Sequence, residues 1–304
     1  MKQIAALLAR LAPNEGFTLS ALDDVKLMRA NGPVARTPVL YEPCICIVVQ
    51  GRKRGYLGDT VFRFDASHYL VLSVPLPFLT ETDATFEEPL LGLSIRIDRT
   101  TLADLLVALE SGSVVNDAPA TIMTTPLDAR LSASVLRLLE ALAAPLEARV
   151  LGPALVREIC YHVLIGEQGG AMRAALTSQG HFGKIARALR RIHADFAGDL
   201  DVGTLALDAG MSVPAFHAHF KAVTQSSPIQ YLKSTRLHQA RLLMVRSGVT
   251  AAAASFTVGY ESPSQFSREF KRLFGRSPGD EAAFMKQTLA LRPATPYHAA
   301  HGAN

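Results

Sequence analysis

A duplication in the last third of the chain constrains its fold more than any other feature. At an offset of 50 residues Ser212 matches Ser262, Phe216 matches Phe266, Phe220 matches Phe270, Lys221 matches Lys271, and Ser227-Pro228 matches Ser277-Pro278. Ahead of each block lies a small-residue helix closed by glycine, Leu205–Gly210 in one copy and Ala251–Gly259 in the other. The shared order is helix, glycine, serine, helix. Glycine takes the positive φ that ends the first helix, and serine accepts from the exposed N–H groups that begin the second. The phenylalanines, spaced i and i+4, share one helical face, which is assigned to packing, so the opposite face points outward. Such a unit is a helix-turn-helix, in which the first helix braces a second that enters the major groove of DNA.

The outward face of the first unit carries Val213, Pro214, His217, Ala218 and Lys221 behind the cap Ser212. That of the second carries Pro263, Ser264, Ser267, Arg268, Lys271 and Arg272. Arg268 is the first candidate for base reading, since its planar fork matches the O6/N7 acceptors of guanine; the alternatives are a phosphate contact or an ion pair with Glu269 or Glu261. His217 either donates to a base edge or phosphate or is a solvated surface histidine. His219 lies one position off the outward face and reads as structural or inert. Between the units Pro228–Arg246 reads as one long helix, with Pro228 at its first position. It would hold two recognition helices rigidly, so that they enter successive major grooves ~34 Å apart and give one chain a bipartite, non-palindromic site.

Charge supports this division. The net charge of +4 separates into 15 Lys/Arg against 8 Asp/Glu from Ser178 onward and 16 against 19 in residues 1–177. Clustered positive charge suits phosphate contacts, although a solvated surface would show it too. A 304-residue chain exceeds one ordinary core, and 49% hydrophobic with 19% charged residues is a globular mixture. No run reaches the ~20 apolar residues needed to cross a bilayer, and Lys2 and Arg10 interrupt Met1–Leu11, so a soluble chain without an export signal is expected. Three cysteines make no disulfide framework and point to a reducing cytoplasm.

The N-terminal half reads as strands: Val39–Gln50, a basic turn at Gly51–Gly55, Tyr56–Phe64 with a turn at Gly58-Asp59, Tyr69–Val74 ended by Pro75 and Pro77, and Leu90–Ile97. Short strands at this spacing predict an antiparallel barrel or sandwich. Thr101–Leu109 reads as a helix. Leu131, Val135, Leu138, Leu139 and Leu142 form one helical stripe and Leu155, Ile159, His162 and Val163 another, with Pro145 and Pro153 between the two helices. These stripes are either a dimer interface or an internal packing layer. Gly166–Gly170 reads as a linker.

The block AGMSVPAFHAHFKAVTQSSPIQYLKSTRLHQARLLM, Ala209–Met244, followed by VGYESPSQFSREFKRLFGRSP, Val258–Pro278, resembles the DNA-binding domain of AraC/XylS-type transcription regulators. The resemblance implies base contacts through Pro214, His217 and Ala218 and through Pro263, Ser264, Ser267 and Arg268. Pro214 and Ala218 replace larger polar side chains of better-studied members, so the first unit would read shape or thymine methyls. Thr37–Pro77, with its Y-x-P, Q-G-x-K and Y-L-G pattern, is similar to the regulatory domain of a subgroup of that family. This implies a cupin-like β-barrel that answers to aldehydes or other small molecules. Metal-binding cupins cluster His and Glu, whereas the barrel region has only His68, so neither a metal nor another cofactor is expected.

The expected architecture is α+β: residues 1–128 an antiparallel cupin-like β-barrel holding the effector, 129–177 a helical connector and dimerisation segment, 178–288 an all-α domain with two helix-turn-helix units, and 289–304 a flexible tail. Candidate effector residues are Cys44, Cys46, Lys53 and His68. Cys44 and Cys46 share a strand face opposite Ile45 and Ile47, and either react with an electrophile, with Lys53 favouring the thiolate, or serve as small apolar filler. Arg52-Lys53-Arg54 either binds an anion or is a solvated turn, and Cys160 reads as core. Expected partners are double-stranded promoter DNA, a small-molecule effector such as an aldehyde, RNA polymerase and a second copy of the chain, with no membrane. The resemblance implies an activator of transcription rather than a repressor. Residues 37–97 show no nucleophile–base pair or metal cluster, so a barrel enzyme is disfavoured, and a constitutive DNA-binding protein is the other alternative.

Overall fold

A computed structural model describes residues 1–109, 121–166, 169–176 and 180–288. Helix α1 (Lys2–Leu11) precedes strands β1 (Gly16–Leu19), β2 (Val25–Ala30), β3 (Val34–Tyr41), β4 (Cys44–Gln50), β5 (Arg52–Leu57), β6 (Thr60–Asp65), β7 (His68–Leu72), β8 (Leu76–Asp83) and β9 (Leu90–Arg96). Then follow α2 (Arg99–Ala108), β10 (Ile122–Pro126), α3 (Ala129–Leu142), α4 (Pro145–Ile165), α5 (Gly169–Leu176) and α6 (Gly180–Ala194). The chain continues through α7 (Val202–Asp208), α8 (Val213–Thr224), α9 (Pro228–Arg246), α10 (Ala251–Thr257), α11 (Pro263–Phe274) and α12 (Pro278–Thr288). The α+β class is as expected, with antiparallel strands first and a helical domain after.

The expected antiparallel cupin-like β domain is present, and its sheets do not close into one barrel. The described strands form two antiparallel sheets, one of six strands in the order β1-β2-β9-β4-β7-β10 and one of four in the order β3-β8-β5-β6. Val39–Gln50 is two strands rather than one, because the chain breaks at Glu42-Pro43 and sends β3 to the small sheet and β4 to the large one. The basic segment expected as a turn is strand β5, in which Lys53 and Gly55 are buried while Arg52 is exposed and Arg54 half-buried. The turn ahead of it needs only Gly51, at φ +75°. Gly58-Asp59 makes the expected two-residue hairpin loop, with Leu57 paired to Thr60.

Residues Cys44–Val49 of β4 are buried on both sides of the strand because both faces of the large sheet are covered. Cys44, Cys46 and Val48 join Phe64 and Phe78 of the small sheet in one core, while Ile45, Ile47 and Val49 join α1, α3 and α4 in another. The leucine stripes therefore find their partner inside the chain: Leu131, Val135, Leu138, Ile159 and Val163 pack beneath the large sheet. Pro145 opens α4, but Pro153, expected to separate two helices, lies within it. Of the 166–170 linker, Gly166 ends α4 and Gly169 begins α5, and residues 167–168 lie outside the described residues, as do the 177/178 boundary and the 289–304 tail.

Helix α9 joins the two halves. The Tyr231 hydroxyl, fully buried, donates to the Pro75 carbonyl at 2.7 Å and lies 2.8 Å from His193 Nε2 on α6. Arg241 Nη2 donates to the Pro38 carbonyl of β3 at 3.1 Å, and Thr121 Oγ1 to the Val223 carbonyl at 2.7 Å. Burial pushes His193 down to about 4, so near neutral pH its Nε2–H donates to Tyr231. Burial, then Arg241 and His193, push the His238 imidazole down as well.

These two histidines set an acid sensitivity. An unfolded histidine takes up its proton below about 6.5, whereas folded His193 resists it until about 4. Stability is therefore complete above about pH 6.5 and falls as the pH drops through that window, by about 2 kcal/mol from His193 alone at pH 5. Thermal unfolding should show a melting temperature that falls between pH 7 and pH 5, with a smaller fall in His193→Gln, which keeps the Nε2-like donor and cannot titrate. An equal fall in the variant would remove His193 as the cause.

Candidate nucleic-acid interface

Both units close with the same local bonds. Gly210 takes φ +60° and Gly259 φ +85°; Met211 N–H donates to the Ala206 carbonyl at 3.0 Å, and Tyr260 N–H to the Ser255 carbonyl at 2.9 Å. Gly259 is doubly required, since a Cβ there would stand 2.5 Å from the Ala197 carbonyl oxygen. Ser212 Oγ accepts from Ala215 N–H and Ser262 Oγ from Gln265 N–H, each a cap that stabilises its helix by about 1 kcal/mol. Gln225 and Gly275, again 50 apart, end α8 and α11 in the left-handed conformation. Phe216, Phe220, Phe266 and Phe270 are all fully buried.

With the phenylalanines inward, the opposite face is open. Ser212, Pro214, His217, Ala218 and Lys221 are exposed on the first unit, as are Ser264, Arg268, Lys271 and Arg272 on the second, and Pro263 and Ser267 are half-buried. The ion pair that competed for Arg268 is absent among the described residues. Glu269 is instead held by Lys233 Nζ at 2.8 Å, Tyr260 Oη at 2.8 Å and Gln265 Nε2 at 3.2 Å, leaving the Arg268 guanidinium without a described partner. His219 stacks on His181 with ring centroids 3.9 Å apart, a structural contact between α8 and α6. The cations divide unevenly: Lys221 alone on the face of α8, but Arg268, Lys271 and Arg272 on that of α11.

Two groups of basic residues escaped the sequence reading. Lys184 of α6 donates to the Gly210 carbonyl at 3.3 Å, Arg187 donates to the Asp208 carbonyl at 2.5 Å, and Arg191 pairs with the Asp208 carboxylate, so three cations flank the turn of the first unit. Their spacing of three and four along a helix was the available signal. Arg236 of α9 donates to the carbonyls of Phe196 at 2.7 Å, Gly198 at 2.9 Å and Gly259 at 3.1 Å, tying the segment after α6 to the turn of the second unit. Nothing in the sequence distinguishes that arginine from the outward-facing ones.

The candidate effector residues fall in the sheet domain. Cys44 and Cys46 are buried between the sheets, and burial pushes their thiols up to about 12 and about 11. Protonated thiols are poor nucleophiles, which weighs against the electrophile reaction. Lys53 is buried near them, with Nζ donating to the Tyr41 hydroxyl at 2.8 Å. His68 stands apart at the β6–β7 turn, half-exposed, its Nδ1 3.0 Å from Asp65. Cys160 is buried in the helical core, as expected. No group of three or more His, Cys, Asp or Glu suited to a metal occurs among the described residues, and no described helix is long and apolar enough to cross a membrane.

Residues 21–171 match the family model of the AraC-type transcriptional regulator N-terminus, and residues 205–282 match a helix-turn-helix domain model. Putative AraC-like transcription regulators of Streptomyces lividans and Streptomyces antibioticus are 36% and 35% identical over 96 residues, in each case 32% of this chain and 32% of the relative. These matches thus span about a third of the curated relatives. The probable thc operon regulatory protein of Rhodococcus erythropolis is 27% identical over 202 residues, 62% of this chain and 60% of its own. In fold, ToxT of Vibrio cholerae strain SCE256, solved with an unsaturated fatty acid bound, aligns over 87% of this chain and 96% of its own with a TM-score of 0.63 at 11% identity.

Substitution separates reading from anchoring. Arg268→Ala should flatten the base preference at one position of a selected site, a loss of about 1–3 kcal/mol of discrimination, while Lys271→Ala should weaken all sequences alike and lower the salt slope by about 1. Binding titrations of each variant on matched and mutated duplexes at several salt concentrations check both. An unchanged preference in Arg268→Ala would remove it from base reading.

Proposed function

Since the chain belongs to the AraC-type transcription regulators, we propose that it activates transcription from promoters carrying two adjacent, unlike half-sites, under the control of a small molecule held in its sheet domain. It is a DNA-binding regulator and not an enzyme. The observation that carries the two-half-site reading is the pair of like-capped recognition helices mounted on α9 with their outer faces open. A 19-residue helix is about 28 Å long, close to one turn of B-DNA.

The DNA contacts proposed are Ser212, Pro214, His217, Ala218 and Lys221 from α8 and Pro263, Ser264, Ser267, Arg268, Lys271 and Arg272 from α11. The uneven charge assigns direct readout mainly to α11, with α8 following shape and thymine methyls. Regulation requires an effector that binds two arrangements of the chain unequally, and the contacts of α9 with Pro75 and Pro38 are where such a difference meets the DNA-binding units. The ligand in ToxT, a protein of the same fold, supports a small-molecule effector here. RNA polymerase in the cytoplasm is the proposed partner of the bound activator. A second copy is proposed to pair through α4, where Leu146, Val150 and Leu151 remain exposed after the leucine stripes are buried.

Selection of the full-length chain on a random duplex library tests the proposal. Expected is an enriched site of two unlike halves centred about 10 base pairs apart, with affinity falling steeply between about 50 and 200 mM salt. A single half-site, or a flat salt response, would sink the two-unit reading.

A further inference from the structure

The first helix-turn-helix unit is poor in charge on its open face, where α8 presents Lys221 alone against Arg268, Lys271 and Arg272 on α11. Cations stand beside it instead, on α6, whose 15 residues include Lys184, Arg187, Arg190 and Arg191 and no acid. Lys184, Arg187 and Arg191 lie three and four apart and so share one side of the helix. They span about 10 Å, the axial rise of about three nucleotides of one DNA strand. Arg187 and Arg191, with Ala188, Asp208 and Ala209, line a cleft of about 320 Å³ at the end of α7. The bonds of these cations to the Asp208 and Gly210 carbonyls satisfy the last turn of α7, where positive charge is favoured, but they use few of the donors. Lys184 has three donors and one described bond, and Arg187 has five and one. The second unit shows the contrast: its turn carbonyl, Gly259, is held by Arg236, whose guanidinium is occupied by Phe196, Gly198 and Gly259 together. The cation at the second turn is a closed clamp, whereas those at the first have donors left over.

Resting on the reading of the two units as DNA-binding, we propose that Lys184, Arg187 and Arg191 form a phosphate site on α6 that anchors the first unit to the DNA backbone. The first helix of such a unit crosses that backbone, and here that helix is α7. The two guanidiniums in the cleft take the phosphodiester oxygens, and Lys184 adds a point charge at the turn that leads into α8. Asp208 holds Arg191 in the free chain and competes with phosphate for it. The first unit thus draws sequence-independent affinity from a helix outside the repeat.

Titrations on a duplex that the full-length native chain selects, between about 50 and 200 mM salt, test the site. Lys184→Gln and Arg187→Gln should each lower the slope of log affinity against log salt by about 1, which makes the fall across that range about threefold shallower, with base preference unchanged. Arg187→Lys, which keeps the charge, should keep the slope. Asp208→Asn removes the competing carboxylate and should raise affinity several-fold for all duplexes alike. Replacing single phosphates by uncharged methylphosphonates locates the contact: a substitution in the half bound by α8 should weaken the native chain and leave Arg187→Gln unaffected. The anchor is overturned if the two glutamine variants keep the native slope, whatever their melting temperatures, since these residues would then only hold α7. It is also overturned if either variant changes base preference, or if every methylphosphonate weakens Arg187→Gln as much as the native chain. Lys271→Ala on α11 separates this site from the reading beneath it. A lower slope there, with none in the α6 variants, sinks the anchor and keeps DNA binding, whereas a native chain without salt dependence sinks the DNA-binding reading itself.

Discussion

The hydroxyl of Tyr231 is the interaction on which the arrangement of the two halves depends. It has no exposure to water and is held between a carbonyl of the sheet domain and an imidazole of α6. A buried phenol that lost either partner would forfeit about 1–3 kcal/mol, so its two bonds fix where α9 lies against the strands. The same face of α9 continues with Thr235, His238 and Arg241, spaced three and four residues apart. Thr235 Oγ1, His238 Nε2 and Arg241 Nε are buried without a described partner. The junction is thus directional and incompletely satisfied, unlike the close-packed apolar layer beneath the large sheet. A junction built this way defines one docked position yet gains less from it than a dry apolar interface would, which is the energetic condition for an element with a second position.

What Tyr231 fixes at one end, Arg236 and Arg241 carry through the helix. Arg236 clamps three carbonyls around the turn of the second unit, and Arg241 reaches Glu281 of α12 while its guanidinium lies 4.4 Å from the centre of the Phe274 ring. The salt bridge from Lys233 to Glu269 adds a third tie to α11. The second unit is therefore fastened to α9 by side chains the first unit lacks, whereas the first is fastened to α6 through Arg187 and Arg191 and to the sheet domain through Thr121. Repetition of the fold does not make the units equivalent. The second carries Arg268, Lys271 and Arg272 on its open face, whereas the first carries Lys221 alone.

The repeat, its caps and its inward phenylalanines were legible because each follows from local backbone chemistry that recurs at a fixed offset. The open face followed from them without further information. The sheet domain was less legible for two reasons visible in particular residues. Arg52-Lys53-Arg54 reads as a solvated turn when every cation is assumed to face water, but in β5 only the middle one turns inward. The apolar run Val39–Val49 is interrupted only at Glu42-Pro43, and the parting of β3 from β4 there is a tertiary event between sheets. The leucine stripes were seen correctly as faces needing a partner, but hydrophobic periodicity cannot say whether that partner is the same chain. Pro153 does not divide the helix because α4 tolerates one missing N–H donor and continues through it from Pro145 to Ile165.

Strand β3 brings these threads together. Tyr41, at its end, accepts from Lys53 inside the sheet domain, and three residues earlier the Pro38 carbonyl accepts from Arg241 of α9. Both are polar contacts of buried cations, and both use groups on one edge strand of the four-stranded sheet. Proximity alone does not couple two sites, since coupling needs an element with two positions that each ligand weights differently. Here the element would be β3 with the α9 face it touches, and the unsatisfied Arg241 Nε and His238 Nε2 mark the place where a second position has hydrogen bonds to gain.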